Sequence, residues 1–365
     1  MAGFFYDGPG MTALKAQLDR LDDDFGAAKK YVDGHTDLSA GDQGLIMYLI
    51  GPHQKARDNV LHAVAAFEKF TKACSTAVGH AEQHYEQTES QNRDTLAAED
   101  AKIRGAGDPA NLQGLSYDHD KGLLKGVSWH AFTDVNEPTN ALAPPEIPMT
   151  GDQDWSFDWK NDAFSPSAYI RDASRDIAHR DVFDEATALF AGKWGLFAKC
   201  AEVWTNLGLF FDAAGDNMHR SAADTPTAWR GNAADAAEEK FVLGAKAMKQ
   251  IPDSLGEYAK LYGDIVTAVK ESFGVIEGQL TCLVDAVVDA ILAGAIGAIT
   301  AETVIGAFAG ASVAGFYVAR VVEIVAEVVG SMDAIKDFVD KAAAILDTIK
   351  VAGDPPKLPT DLPGN

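Results

Sequence analysis

His80 and His84 stand one helical turn apart with Glu82 between them, the spacing at which two imidazoles on one helix face can share a metal ion. No third ligand falls in register with them, so the pair reads as solvated helix surface. Asp118, His119 and Asp120 cluster in one stretch and Asp152, Asp154 and Asp158 in another, and grouped carboxylates can hold calcium. The second group lacks the glycine and terminal glutamate of an EF-hand loop, so both read as acidic loops and no metal is expected. Phosphate loops, serine elbows, HExxH helices and strand-following glycine fingerprints are all missing from the chain. Cys74, Cys200 and Cys282 are widely separated, without metal-ligand or redox spacing. No catalytic residue and no cofactor is therefore predicted.

Two short motifs remain. Trp229-Arg230-Gly231 falls between two long helical patterns, where glycine permits a positive φ and an indole can wedge between helix ends. Tyr85 lies on the apolar seam of another helix, with Glu89 one exposed turn later. Each alone is commonplace; their chemistry is that of a recognition patch, an aromatic anchor beside a carboxylate.

The elements that must carry these motifs are helical. Leu14, Leu18, Leu21, Phe25, Ala28 and Val32 alternate at spacings of four and three over residues 11–33, with Gly34 as a stop. Val60, Val64, Phe67, Thr71, Cys74, Val78, Ala81, Tyr85 and Thr88 hold the same spacing within a helix over 54–101. Residues 38–51 read as the turn between them, with room for a short helix. Prolines interrupt any period over 105–167, although Trp129, Trp155 and Trp159 argue that part of this stretch packs on the helices. Periodicity returns over 173–214, breaks at GDNMHRSAADTPTAWRG, and resumes where Asn232 and Asp235 can cap a helix running toward residue 280. Pro252 is expected to kink or break that helix.

Residues 283–329 are Gly-, Ala- and Val-rich and read as two helices turning near 300–302. Gly306 and Gly310 form a GxxxG there, within the uncharged run 303–319. That spacing serves close helix packing in a membrane or in a bundle, and the bundle is favoured because the run only just reaches spanning length. An amphipathic helix over 332–351 and an extended, mobile proline-rich tail complete the chain. The fold class is all-α, an elongated bundle. Its divisions are 1–105, 106–170, 171–280, 281–352 and 353–365.

Charge narrows the partners. The 365 residues carry 31 basic and 54 acidic side chains, a net of −23, which repels nucleic acid and an anionic membrane surface. The N-terminus has no basic region, apolar core or cleavage site of a secretory signal peptide.

Placed in these helices, the two motifs and the stretch TPTAWRGNAADAAEEKF resemble the marks of type VII (ESX) secretion substrates, the actinobacterial WXG, PE and PPE helical-hairpin superfamily. The resemblance covers most of 11–103 and 173–350 and implies a fused substrate. A PE-like hairpin comes first and a WxG/PPE-like helical body second, followed by the Gly/Ala-rich hairpin. The first hairpin has no Trp-x-Gly in its own turn, and Tyr258 and Tyr262 have no acidic residue four positions on.

In that superfamily a Trp-x-Gly turn and a Tyr-x-x-x-Glu end lie side by side as a composite export signal read by the secretion ATPase. Carried over, the resemblance implies Trp229 and Gly231 on one side and Tyr85 and Glu89 on the other, close together at one end of the bundle. The implied protein is a non-enzymatic structural or membrane-interacting effector. It is made in the cytoplasm and exported to the exterior or cell surface without a cleavable signal peptide. Its implied partners are the ATPase and a small WXG-type helical protein or a second copy, with membrane contact through 283–329. The alternatives are the trafficking region of a polymorphic toxin, or a membrane hairpin or pore formed by 283–329.

Overall fold

Asp7 starts the first helix by accepting a hydrogen bond from the Gly10 amide at 2.7 Å, with Pro9 in the opening turn. The computed structural model describes residues 5–38, 44–104, 132–146, 171, 174–175, 177–292 and 313–358. Seven helices are described: α1 Gly8–His35, α2 Met47–Arg104, α3 Val182–Phe190, α4 Trp194–Ala228, α5 Asn232–Met248, α6 Ile251–Leu292 and α7 Val313–Thr348. The protein is all-α apart from two-residue strands, β1 Phe5–Tyr6 and β2 Trp229–Arg230, which pair antiparallel with Tyr6 opposite Trp229. A pair this short lies below the length at which strand alternation can be read from sequence.

The seams predicted for α1 and α2 face each other. Thr12 meets Glu82, Phe25 stacks on Phe67 at 5.9 Å between ring centroids, and Arg57 pairs with Asp33 at 2.5 Å, so the two helices run antiparallel. Their buried residues recur at spacings of three and four, the period that keeps one stripe against a partner. α4 lies across this pair through Phe25–Phe210 and Tyr31–Asn206 contacts, and α6 runs back along α4 through Trp204–Tyr258 and Phe197–Tyr262. α7 closes the body: Lys55 of α2 bridges to Asp347 of α7 at 2.8 Å, and just past the helix the Ile349 carbonyl accepts from the Tyr258 hydroxyl at 2.8 Å.

Several boundaries differ from expectation. The helix predicted over 173–214 is not continuous: it breaks at 179–181, where His179 takes a φ of 53°, and again where Gly192 takes a φ of 131°. α4 then continues through the polar stretch expected to interrupt it, ending at Ala228. The reason is that its polar side chains are satisfied: Asn217 accepts from the Val135 amide at 2.8 Å, and Ser221 donates to buried Gln17 at 2.8 Å. Asn232 and Asp235 do not cap α5. Gly231 holds that position with φ 125° and ψ 177° and no side-chain cap. Pro252 coincides with a break, the chain leaving α5 at Lys249 and Gln250 and restarting with Pro252 in the first turn of α6. α2 begins at Met47, earlier than 54, with Pro52 inside it.

Of the proline-rich stretch, residues 132–146 pack on α1 and α4. Phe132 is buried, Arg20 pairs with Asp134 at 2.7 Å, and Tyr31 donates to the Ala143 carbonyl at 2.9 Å. Trp129, Trp155 and Trp159, expected to drive such packing, lie outside the described residues, as do Asp118, His119, Asp120, Asp152, Asp154 and Asp158. The predicted turn near 300–302 and the Gly306/Gly310 pair also lie outside them. Among the described residues no helix is long and apolar enough to cross a membrane. The tail expected to be mobile is packed as far as Leu358, because Ile349, Val351 and Leu358 rest against the core.

Candidate functional site

Three chain regions meet where α4 ends. The helix stops because Trp229 turns extended, with φ −148° and ψ 129°, and its amide still bonds back to the Thr225 carbonyl. The extended residue offers an open backbone edge, which β1 takes: the Asp7 amide donates to the Ala228 carbonyl at 2.8 Å, just outside the paired residues. Close approach of α1 to α4 is allowed by Gly10, where a Cβ would fall 2.5 Å from the Ala228 Cβ. Gly231 then redirects the chain into α5 with a φ of 125°, a conformation that L side chains rarely adopt.

This turn sets Trp229 against Tyr85. The indole Nε1 donates to the Tyr85 hydroxyl at 3.4 Å, and the rings meet edge to face with centroids 6.3 Å apart. Tyr6 packs on the other side of Tyr85 at 5.1 Å. Three aromatic side chains from β1, α2 and β2 thus form one cluster. Trp229 itself is only 4% exposed, Tyr85 is half-buried and Glu89 is exposed on the next turn of α2. Arg230 points away, donating to the Pro226 carbonyl at 2.6 Å while its guanidinium lies 5.5 Å over the Phe5 ring.

The fringe of the cluster is acidic. Burial, then the charges of Glu86, Glu82, Glu89 and Asp7, push the Tyr6 hydroxyl up to about 12, and that hydroxyl has no hydrogen-bond partner among the described residues. Tyr6 thus stays neutral across the working pH range. The cluster presents half-buried aromatic edges beside a carboxylate row, chemistry suited to recognition of a protein surface.

Behind Trp229 lies an apolar cavity of about 170 Å³, lined by Cys74, Val78, Ala237, Phe241 and Leu358 as well as the indole. Burial raises the Cys74 thiol to about 12, which keeps it a poor nucleophile for as long as it stays buried; Cys200 behaves likewise, and Cys282 is exposed. His80 is half-buried and His84 exposed beside the Tyr85 ring at 6.1 Å. Among the described residues no group of three or more metal-ligating side chains is gathered.

The two motifs chosen from sequence therefore touch, although 144 residues separate them. The sequence reading missed Tyr6 and Leu358. Tyr6 sits in a segment with no helical period and Leu358 in a proline-rich tail; the signal for Tyr6 is Asp7-Gly8-Pro9, a helix start that ties the residue before it to the bundle.

Comparison with known proteins gives no match: no protein-family model, no curated protein and no solved structure fits this chain.

Proposed function

We propose that this chain is a non-enzymatic substrate of a type VII (ESX-like) secretion system. On this reading Trp229, Gly231, Tyr85 and Glu89 form a composite export signal within one polypeptide. What carries the reading is the contact between the two half-motifs, the Trp229 Nε1 to Tyr85 hydroxyl distance of 3.4 Å. Two motifs 144 residues apart in sequence have no local reason to meet, and a signal built from both requires that they do.

On this reading α1 and α2 are the PE-like hairpin, and α4 with α5 and α6 the WxG/PPE-like hairpin. The secretion ATPase is the partner that reads the patch, and the destination is the cell exterior or surface. Because both halves of the signal belong to one chain, a small WXG-type partner is not required to complete it. Buried Trp229 acts as the support that fixes the turn, and exposed Glu89 with the edge of Tyr85 is the surface that is read.

The test is export from a host with and without a working type VII ATPase, comparing the parent with Glu89→Gln. Glu89 is exposed, so its neutral isostere leaves the fold intact, which circular dichroism checks. Export that needs the ATPase and falls at least about tenfold with Glu89→Gln supports the reading, tenfold being about 1.4 kcal/mol of lost recognition, within the range of a charge-assisted hydrogen bond. Export of Glu89→Gln at the parental level, or without the ATPase, overturns it.

A further inference from the structure

Trp229 is nearly buried, and Leu358, from the segment after α7, lines the apolar cavity beside it. The segment after α7 is pinned as far as Ala352: Tyr258 donates to the Ile349 carbonyl at 2.8 Å, and the Ala352 amide donates to the Ser254 hydroxyl at 3.1 Å. Gly353 then turns the chain with a φ of 95°, in a space so tight that a Cβ would lie 2.5 Å from the Ala247 carbonyl oxygen. Beyond it, Pro355 and Pro356 stiffen the strand and supply no amide donors. Among the described residues, no hydrogen bond or ion pair ties 354–358 to the body. Pro355, Pro356 and Leu358 are half-buried, and Leu358 lines the cavity beside Trp229, Cys74 and Phe241.

We propose that residues 354–358 form a strap, hinged at Gly353, whose Leu358 walls one side of the apolar cleft beside Trp229 and holds the export patch in a closed form. Its occupant in the resting state is this chain's own tail. The geometry separates a fixed root, made of hydrogen bonds, from an arm that rests on the body only through its half-buried Pro355, Pro356 and Leu358. Such an arm opens locally without unfolding of the helices, because over 354–358 the contacts it breaks are side-chain packing with no hydrogen bond. Lifting it uncovers one flank of the indole and the cavity next to it. This regulatory role rests on the reading of Trp229 and Tyr85 as an export signal; the existence of the strap does not.

Cys74 reports the opening directly, since it is 3% exposed and lines the cavity that Leu358 walls, whereas Cys200 is fully buried elsewhere in the core. In purified full-length chain carrying Cys282→Ser, alkylation of Cys74 by N-ethylmaleimide is slow, and Leu358→Asp accelerates it by about tenfold while Cys200 stays protected. That factor follows from removing one half-buried leucine from a local opening equilibrium. Leu358→Met restores the parental rate. An unchanged Cys74 rate, or parallel acceleration at Cys200, overturns the strap.

Regulation is read in the secreting host. Leu358→Asp exports faster than the parent if the strap hides the signal. Parental export of Leu358→Asp, in a host where Glu89→Gln blocks export, overturns the gating alone. Normal export of Glu89→Gln overturns the secretion reading instead.

Discussion

Removing the two aromatic side chains of the cluster singly and together measures how far the composite patch is one physical unit. Trp229 is 4% exposed, so Trp229→Ala is expected to cost about 3–5 kcal/mol in transfer and cavity terms. Tyr85 is half-buried and touches both Trp229 and Tyr6, so Tyr85→Ala is expected to cost about 2 kcal/mol. The coupling between them has two parts. The edge-to-face ring contact contributes about 0.5–1.5 kcal/mol. The Nε1 to hydroxyl bond, at 3.4 Å, is long and contributes about 0.5 kcal/mol. The double variant should therefore lose about 1–2 kcal/mol less than the sum of the single losses. Urea unfolding followed by circular dichroism at constant m gives all four corners of the cycle. A coupling within about 0.3 kcal/mol of zero would mean that the rings are neighbours without being partners, and the unity of the patch would fail with it. The same magnitudes explain why Glu89→Gln, and not Trp229→Ala, is the informative export variant. A loss of about 3–5 kcal/mol is a large part of a typical domain's stability, so a failed export would confuse signal with fold.

Other perturbations separate backbone, burial and charge. Gly231→Ala forces a φ of 125° on a residue with a Cβ and should destabilise by about 1–3 kcal/mol, whereas Gly278→Ala, on an exposed face of α6 with nothing within 4 Å of the added carbon, should stabilise by about 0.5–1 kcal/mol; thermal unfolding compares them. Burial first, then Glu137, Asp134 and Asp23, raise the Asp24 carboxyl from 3.8 to about 7. The folded state thus binds the extra proton between those values, and stability falls as pH rises through that window. Asp24→Asn should be more stable than the parent at pH 8 and lose that advantage by pH 4, as urea midpoints at the two pH values will register. His53 has the opposite sign. It is 1% exposed, its Nε2 donates to the Thr36 carbonyl at 2.7 Å and its Nδ1 accepts from the Tyr262 hydroxyl at 2.6 Å, and burial lowers its pKa below 6.5. The unfolded chain therefore takes up the proton first, and stability drains away as pH falls below 6.5. His53→Gln should flatten that part of the difference curve, and an imidazole titration by NMR at or above 6.5 would refute the assignment.

The helices were legible because their apolar residues recur at three and four. The Leu14, Leu18, Phe25 seam and its partner on α2 face each other with the register that periodicity implies. What sequence hid was anything decided by a distant partner. Asn217 and Ser221 look like helix breakers until Val135 and Gln17 are placed beside them, and then α4 has no reason to stop before Trp229. The cap at Gly231 was misjudged for a related reason: pairing of Trp229 with Tyr6 fixes the turn geometry before any side chain at Asn232 can compete. Leu358 is not legible because proline-rich composition speaks to the stiffness of a segment and not to whether one of its side chains finds a cavity.

These long-range dependencies bear on what the patch can signal. Tyr6 reaches Trp229 across a two-residue strand, and Tyr85 reaches it from α2, so none of the pieces is in place until α1, α2 and α4 have packed. An unfolded chain has the same residues but pays the closure entropy of loops more than a hundred residues long to bring them together. A reader of the assembled cluster would therefore distinguish folded from unfolded chain without any separate test of folding. On that argument, disrupting α1 far from the patch, for example by Phe25→Ala in the ring stack with Phe67 and Phe210, should weaken presentation of the signal in proportion to the stability it removes, about 3–5 kcal/mol for a buried phenylalanine. Glu89→Gln should instead weaken recognition with no change in stability. A linear short peptide spanning Tyr85 and Glu89 should then fail to compete with the folded chain for the same reader; effective competition by the peptide would place the information in local sequence and remove the role assigned to the fold.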